Sequence, residues 1–143
     1  MNRDDILALL KSGQSYKQIR DALRQENEAE VFNGLYSIAV ESPYQKVPFP
    51  ILDAGNLLFE LNPACQTSCL EVVRAMLKGW DVSLEEVPFY VYKQFGIVPI
   101  QEAINQLSTE VLQNQERIRL NTVRYWAEIA DREGIETIEK RRA

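Results

Sequence analysis

The chain has 143 residues and a net charge of −5, with 45% apolar and 26% charged residues. These values are ordinary for a single globular domain that buries about two-thirds of its unfolded surface. No apolar run reaches the ~18 residues that a membrane-spanning helix needs, and the start, MNRDDILALLKSG, lacks the pattern of a signal peptide. Composition therefore predicts one cytoplasmic domain over residues 1–143, with no membrane segment.

Charge is unevenly distributed along the chain. Residues 1–24 carry five basic and three acidic side chains, and residues 117–143 carry seven and five. The middle, residues 25–116, carries four basic and thirteen acidic side chains. Because binding to a phosphate backbone needs clustered Lys and Arg, this acidic middle disfavours nucleic acid as a partner.

The sequence contains no histidine and only two cysteines. Histidine is the commonest general base and metal ligand, so its absence excludes Ser-His and Cys-His nucleophile arrangements. Cys65 and Cys69 are placed to share one helix face, and we predict two core-facing thiols, because a zinc site here would need carboxylates to complete it. No glycine-rich phosphate-binding motif occurs. The sequence therefore predicts a protein that is not an enzyme, with no catalytic residue, cofactor or metal.

Residues 1–26 are predicted to form a helical hairpin that caps the rest of the chain. Ser15 and Gln18 form a capping-box pattern at the start of its second helix. The segment 4–24 also resembles the first two helices of helix-turn-helix domains, which makes a DNA-binding transcriptional regulator the alternative function. Such a domain needs a third helix that presents polar and basic residues to the groove, whereas the acidic run QENEAE follows here.

Apolar residues at helical spacing predict four further helices over residues 28–96. Their predicted bounds are 28–41, 50–61, 64–78 and 83–96, with a turn at 42–45. Pro50 is tolerated only in a first turn, so it marks the start of the second of these helices. Ser83 and Glu86 form another capping-box pattern at the start of the last one.

Two of the predicted helical pairs share a sequence pattern. Val87-Pro88-Phe89 repeats Val47-Pro48-Phe49 at a distance of 40 residues. A second set repeats at a distance of 41, with Val73, Met76 and Leu77 matching Phe32, Leu35 and Tyr36. This period, with two helices per unit, resembles HEAT-type repeats over residues 31–96. The resemblance implies an all-α fold of six to seven helices, stacked as hairpins in a short α-solenoid whose concave face binds another protein. A closed helical bundle satisfies the same apolar pattern and is the alternative.

The region 97–133 is predicted to form one long helix, because neither Gly nor Pro occurs between Pro99 and Gly134. One inward stripe is predicted at Ile104, Leu107, Val111 and Ile118, and another at Leu120, Val123, Trp126, Ala127 and Ala130. The polar run 113–117 separates the two stripes, so either the helix breaks there or one half packs on something else. If one half packs on something else, a second copy of the chain is a possible partner, which predicts a homodimer through residues 99–132. Residues 134–143 are predicted to form a frayed, solvated tail.

Five aromatic residues are the predicted partner-binding residues, and they are Trp80, Tyr90, Tyr92, Tyr125 and Trp126. Adjacent aromatic residues of a helix cannot all face one core, so part of this set is expected at the surface, where Tyr and Trp act as interface anchors. The leading hypothesis is a non-enzymatic interaction or regulatory module that binds another, unidentified protein. The DNA-binding regulator is the second hypothesis, and an enzyme based on carboxylates and tyrosine is the third.

Overall fold

The computed structural model describes residues 1–41 and 49–142, which form nine helices and no strand. The all-α class is confirmed, with more helices than the six to seven predicted. The helices are α1 (Arg3–Leu10), α2 (Tyr16–Arg24), α3 (Glu28–Ala39), α4 (Phe49–Leu61), α5 (Cys69–Gly79), α6 (Glu86–Phe95), α7 (Ile97–Ser108), α8 (Asn114–Glu133) and α9 (Ile135–Arg142). The predicted turn at 42–45 and the Val47-Pro48 start of the first repeat lie outside the described residues.

The helices pack around one main core and a smaller second cluster. In the N-terminal half, α3 packs on α1 and α4, and α4 also contacts α2 and α6. In the C-terminal half, α8 packs against α5, α6, α7 and α9. The main apolar cluster runs from Ile6 in α1 to Ala127 in α8. A smaller cluster, which we call the phenylalanine cluster, consists of Phe59, Phe89, Ala130 and Ile138.

The second helix begins as predicted. The Ser15 hydroxyl accepts a hydrogen bond from the backbone N–H of Gln18 at 3.2 Å, and the Gln18 side chain accepts one from the backbone N–H of Ser15 at 3.0 Å. This reciprocal pair satisfies two backbone donors that have no partner inside the helix. Ile19 and Leu23, farther along α2, are buried in the main core.

The fifth helix begins later than predicted. Ser68 accepts a hydrogen bond from the backbone N–H of Glu71 at 3.2 Å, so α5 starts at Cys69 and not at residue 64. Cys65 therefore lies in the connection that precedes the helix. The prediction that both cysteines share one helix face is wrong, although both thiols are free and Cys69 is buried.

The start of the sixth helix also differs from the prediction. Ser83 donates its hydroxyl to Asp81 at 2.6 Å. Glu85 is the N-cap residue of α6 and makes no side-chain capping hydrogen bond. The predicted capping box of Ser83 and Glu86 is therefore wrong, because the serine hydroxyl stabilises the turn before the helix instead.

Two helices replace the single long helix predicted over 97–133. The first of them ends at Ser108. The second is preceded by Gln113, whose backbone N–H donates to the Glu116 side chain at 3.0 Å. This contact gives a partner to a backbone N–H at a helix start. Inside a continuous helix, the same N–H would already be bonded to the carbonyl four residues earlier. The chain therefore breaks at 109–113, close to the polar run where a break was one of the two predicted options.

The C-terminal segment is a docked helix, α9, and not the frayed tail predicted for residues 134–143. Ile138 is 2% exposed and belongs to the phenylalanine cluster. Arg142 donates hydrogen bonds to Glu85 at 2.8 Å and to Asn56 at 3.0 Å. The apolar contact and the polar contacts together hold α9 against α4, α6 and α8.

Candidate interaction surface

The rotation of α8 about its own axis is fixed by its inner face. Leu120, Val123 and Ala127 on that face are at most 2% exposed. Arg119, at the edge of the face, donates to the backbone carbonyls of Leu77 and Trp80 at 2.9 and 3.0 Å. These carbonyls lie at the C-terminal end of α5, where the helix dipole favours a cation. The helix therefore presents one defined face to the core and the opposite face to solvent.

The outward side of α8 carries a second apolar stripe. Ile118 and Tyr125 are 55% and 56% exposed, and Thr122 and Ile129 are partly exposed. At about 100° per residue, these positions fall on one line, about 160° around the helix from the centre of the inner face. We call the four residues the outer stripe. The Thr122 hydroxyl donates to the Ile118 carbonyl at 2.8 Å, so this polar group has its partner within the helix. Single exposed apolar residues are normal, whereas a contiguous patch is typical of a surface that contacts something else.

Trp126 lies between the outer stripe and the core. Its ring packs edge-on against Phe89 and Tyr125, with ring centroids 5.7 and 4.9 Å apart. Its indole Nε1 is shielded from solvent and has no hydrogen-bond acceptor among the residues that the structure describes. A groove of about 660 Å³ lies beside the ring, between α6, α8 and α9. Trp126 thus gives the outer stripe a half-buried aromatic border.

Two of the five predicted partner-binding residues lie in the core. Trp80 and Tyr90 are fully buried. The Trp80 indole donates to the Leu84 carbonyl at 3.0 Å, and the Tyr90 hydroxyl donates to the Pro63 carbonyl at 2.6 Å. A backbone acceptor lets each ring be buried without losing the hydrogen bond that it makes in water. Both side chains are therefore core residues in this structure, not the exposed interface anchors that the sequence predicted.

The other three predicted residues lie where α6 and α8 meet. Tyr92 is partly exposed and donates its hydroxyl to Asp131 of α8 at 2.9 Å. Burial and this hydrogen bond raise the pKa of Tyr92. Tyr125 is the most exposed of the three, and its ring contacts that of Trp126. The structure therefore brings Tyr125 and Trp126 together at the outer stripe. Tyr92 instead contacts Asp131, about 150° around α8 from the stripe.

Most of the outer stripe was not predicted from the sequence. The apolar spacing assigned Val111 and Ile118 to the core together with Ile104 and Leu107, but only the latter two are buried. Val111 is fully exposed in the connection between the helices, since the break at 109–113 ends the face that α7 presents to the core. The alternating spacing of four and three residues from Ile118 onward is the signal that identifies the stripe once α8 is treated as a separate helix.

A second groove, of about 500 Å³, contains ionisable side chains that have partners within the chain. Glu60 accepts hydrogen bonds from the Tyr16 hydroxyl at 2.6 Å and from Arg20 at 2.8 Å. Lys93 donates to the Phe59 carbonyl at 2.8 Å. Burial lowers the pKa of Lys93 and raises that of Tyr16. These contacts join α2 and α6 to α4, and the geometry accounts for them as links between helices.

The Cys69 thiol is buried in the core and the Cys65 thiol is half-buried at its edge. Burial raises the pKa of both, to about 11 for Cys69. They are therefore protonated at neutral pH, whereas metal binding and nucleophilic attack need the thiolate. Among the described residues, no group of three or more Cys, Asp and Glu side chains is placed to hold a metal ion. Over the same part of the chain, no helix combines the length and the apolar character needed to cross a bilayer.

Over the residues that the structure describes, the protein is all-α, and α8 exposes its outer stripe to solvent. No family model, no curated protein and no solved structure matches the chain.

Proposed function

We propose that this protein is a non-enzymatic interaction module that binds another protein through the outer stripe of α8. The observation that carries the proposal is the exposure of Ile118 and Tyr125, two turns apart on one line of the helix. A partner that covers these side chains removes apolar surface from water, which is worth roughly 25 cal/mol per Å². Trp126 beside them adds the type of aromatic side chain that is enriched in binding hot spots.

The test compares the same substitution at two exposed apolar positions. Ile118→Asp places a carboxylate in the outer stripe, whereas Val98→Asp places one on α7, where the valine is 59% exposed. Neither position is in the core, so thermal unfolding of both variants should match the wild type. In affinity capture with the tagged chain as bait, we expect Ile118→Asp to lose the specifically bound protein and Val98→Asp to retain it. Equal capture by all three baits, or no specific partner for the wild type, contradicts the proposal.

Two finer predictions are part of this proposal. One is the cytoplasmic location expected from composition. The other is the HEAT-like organisation of α3–α6 as two hairpins. Extensive packing of α3 on α4 supports the first hairpin, whereas α5 packs mainly on α7 and α8 and only slightly on α6. In the second proposed hairpin, α5 and α6 are therefore not packed closely against each other.

A DNA-binding function has less support. The helix that follows the α1–α2 hairpin, α3, contains two glutamates and no basic residue. Recognition of DNA needs basic and polar side chains that reach phosphates and base edges. We therefore do not propose a regulator that reads DNA with this segment.

A further inference from the structure

We propose that the outer stripe binds the same stripe of a second copy of the chain, with the two α8 helices antiparallel. This inference rests on the proposed interaction function and names its partner. In such a pair a two-fold axis passes between the helices, near the midpoint of Thr122 and Tyr125. Two-fold symmetry requires a surface that is complementary to itself, so each contact occurs twice.

The apolar residues of the outer stripe meet the requirement of self-complementarity. With the axis at this midpoint, Ile118 lies opposite Ile129 of the second copy, and Thr122 lies opposite Tyr125 of the second copy. Each pair places an apolar or amphipathic side chain against another, and the spacing of four, three and four residues is the same when it is read in either direction. The stripe therefore fits an inverted copy of itself without a shift in register.

Two charged residues select the antiparallel orientation. Arg117 and Glu128 lie on the same edge of the stripe, about 100° around the helix from its centre. Both are exposed, and among the described residues neither forms an ion pair. In an antiparallel pair this edge faces the same edge of the second copy, which brings Arg117 near Glu128 of the other chain, twice. Arg124 lies on the same edge near the axis and meets its own copy, but it donates to the Asn121 side chain of its own helix at 3.4 Å, and two attractive pairs oppose this one like-charge contact. In a parallel pair the edge would face the one that Trp126 occupies, and neither charge would gain a partner.

The size of the contact predicts a weak dimer. The outer stripe is about 17 Å long at 1.5 Å per residue. Two helices in contact over this length bury less than the roughly 1,200–2,000 Å² of a standard stable interface. We therefore expect a monomer–dimer equilibrium that depends on protein concentration, rather than a permanent dimer.

The test is a charge exchange on the full chain, measured by sedimentation equilibrium over a range of concentrations. Arg117→Glu and Glu128→Arg should each weaken dimerisation about tenfold, because each replaces two attractive contacts by two repulsive ones. An equimolar mixture of these two variants should associate as a heterodimer, and the double variant should dimerise like the wild type. Lys17→Glu and Glu102→Arg make the same charge changes on α2 and α7 and should leave the equilibrium unchanged.

Several outcomes overturn the inference. One is a wild-type chain that stays monomeric up to about 1 mM, and another is a mixture of the two charge variants that does not associate. Either result leaves the proposed function in place if Ile118→Asp still abolishes capture of a different protein. A dimer that Tyr125→Ala and Ile118→Asp do not weaken also overturns the inference, because it must use another surface.

Discussion

A close contact between α1 and α3 depends on one glycine. A Cβ atom added at Gly34 of α3 would lie 2.3 Å from Cδ1 and 3.3 Å from Cγ1 of Ile6 in α1. Ile6 is fully buried, so its side chain has little room to move away. Gly55 in α4 differs, because a Cβ atom there would lie 3.8 Å from Val87, an ordinary contact distance. Both glycines are in helices, where alanine is intrinsically preferred.

The two glycines predict opposite effects for one substitution. Gly34→Ala should lower the free energy of unfolding by about 1–3 kcal/mol, because overpacking outweighs the gain in helix propensity. Gly55→Ala should raise it by about 0.5–1 kcal/mol, because the helix gains propensity without a clash. Urea unfolding of both variants provides the measurement. A Gly34→Ala variant with the same free energy of unfolding as the wild type would mean that α1 and α3 are farther apart than described.

At the residue scale, the aromatic side chains were only partly predictable. The adjacency of Tyr125 and Trp126 correctly indicated that both could not face the core, and Tyr125 is exposed. Trp80 and Tyr90 can be buried without an unpaired polar atom because the carbonyls of Leu84 and Pro63 accept their polar hydrogens. The Pro63 carbonyl is distant from Tyr90 in the sequence, so its availability is a property of the folded chain.

At the scale of the helix, α9 is held by one buried side chain and several exposed ion pairs. Ile138→Ala should weaken the docking of α9 by about 2–3 kcal/mol, because a buried isoleucine contributes that much in a packed cluster. Lys140→Ala, on the exposed side of the same helix, should change it by less than about 0.5 kcal/mol. Amide hydrogen exchange within α9 reports the difference, since local opening exposes these amides while the rest of the chain stays folded. Equal exchange rates in the two variants would show that Ile138 does not hold the helix.

Helix starts were predictable where the capping residues are close in sequence and no other acceptor competes for the capping hydroxyl. Ser15 and Gln18 cap α2 as the pattern predicts. Ser83 has the same type of pattern, but Asp81, two residues earlier, accepts its hydroxyl. The contact between the Gln113 backbone and Glu116 at the start of α8 involves no Gly or Pro, so the usual helix breakers gave no sign of it. A capping pattern thus predicts a helix start only when no nearer acceptor competes for the same hydroxyl.

At the scale of the whole molecule, the all-α class was predictable and the arrangement of the helices was not. Apolar spacing determines which face of each helix is buried, and this spacing is local. The packing of α5 on α7 and α8 depends instead on contacts such as that between Arg119 and the Leu77 carbonyl. Such pairs are distant in the sequence and carry no local pattern, so the sequence left the solenoid and the closed bundle as alternatives.

Two carboxylates with distant partners connect the stability of the whole molecule to pH. Hydrogen bonds from Arg74, at 2.7 and 3.0 Å, lower the pKa of Glu110 and hold the α7–α8 connection against α5. Burial raises the pKa of Glu60, but the hydrogen bonds from Tyr16 and Arg20 outweigh it, so the pKa lies below its ordinary value of 4.5. In both cases the folded chain binds the proton more weakly than the unfolded chain does.

The stability that these carboxylates contribute is therefore complete at neutral pH and is lost as the pH falls below about 4.5 toward the folded pKa values. Glu60→Gln should lower the free energy of unfolding by about 0.5–1 kcal/mol at pH 7 and by less at pH 3, because the wild-type carboxylate is partly protonated there. Glu136→Gln, at an exposed position of α9, should leave the pH profile unchanged. Denaturant unfolding between pH 3 and pH 7 measures both profiles. Parallel curves for the wild type and Glu60→Gln would mean that the contacts of Glu60 with α2 do not contribute to stability in solution.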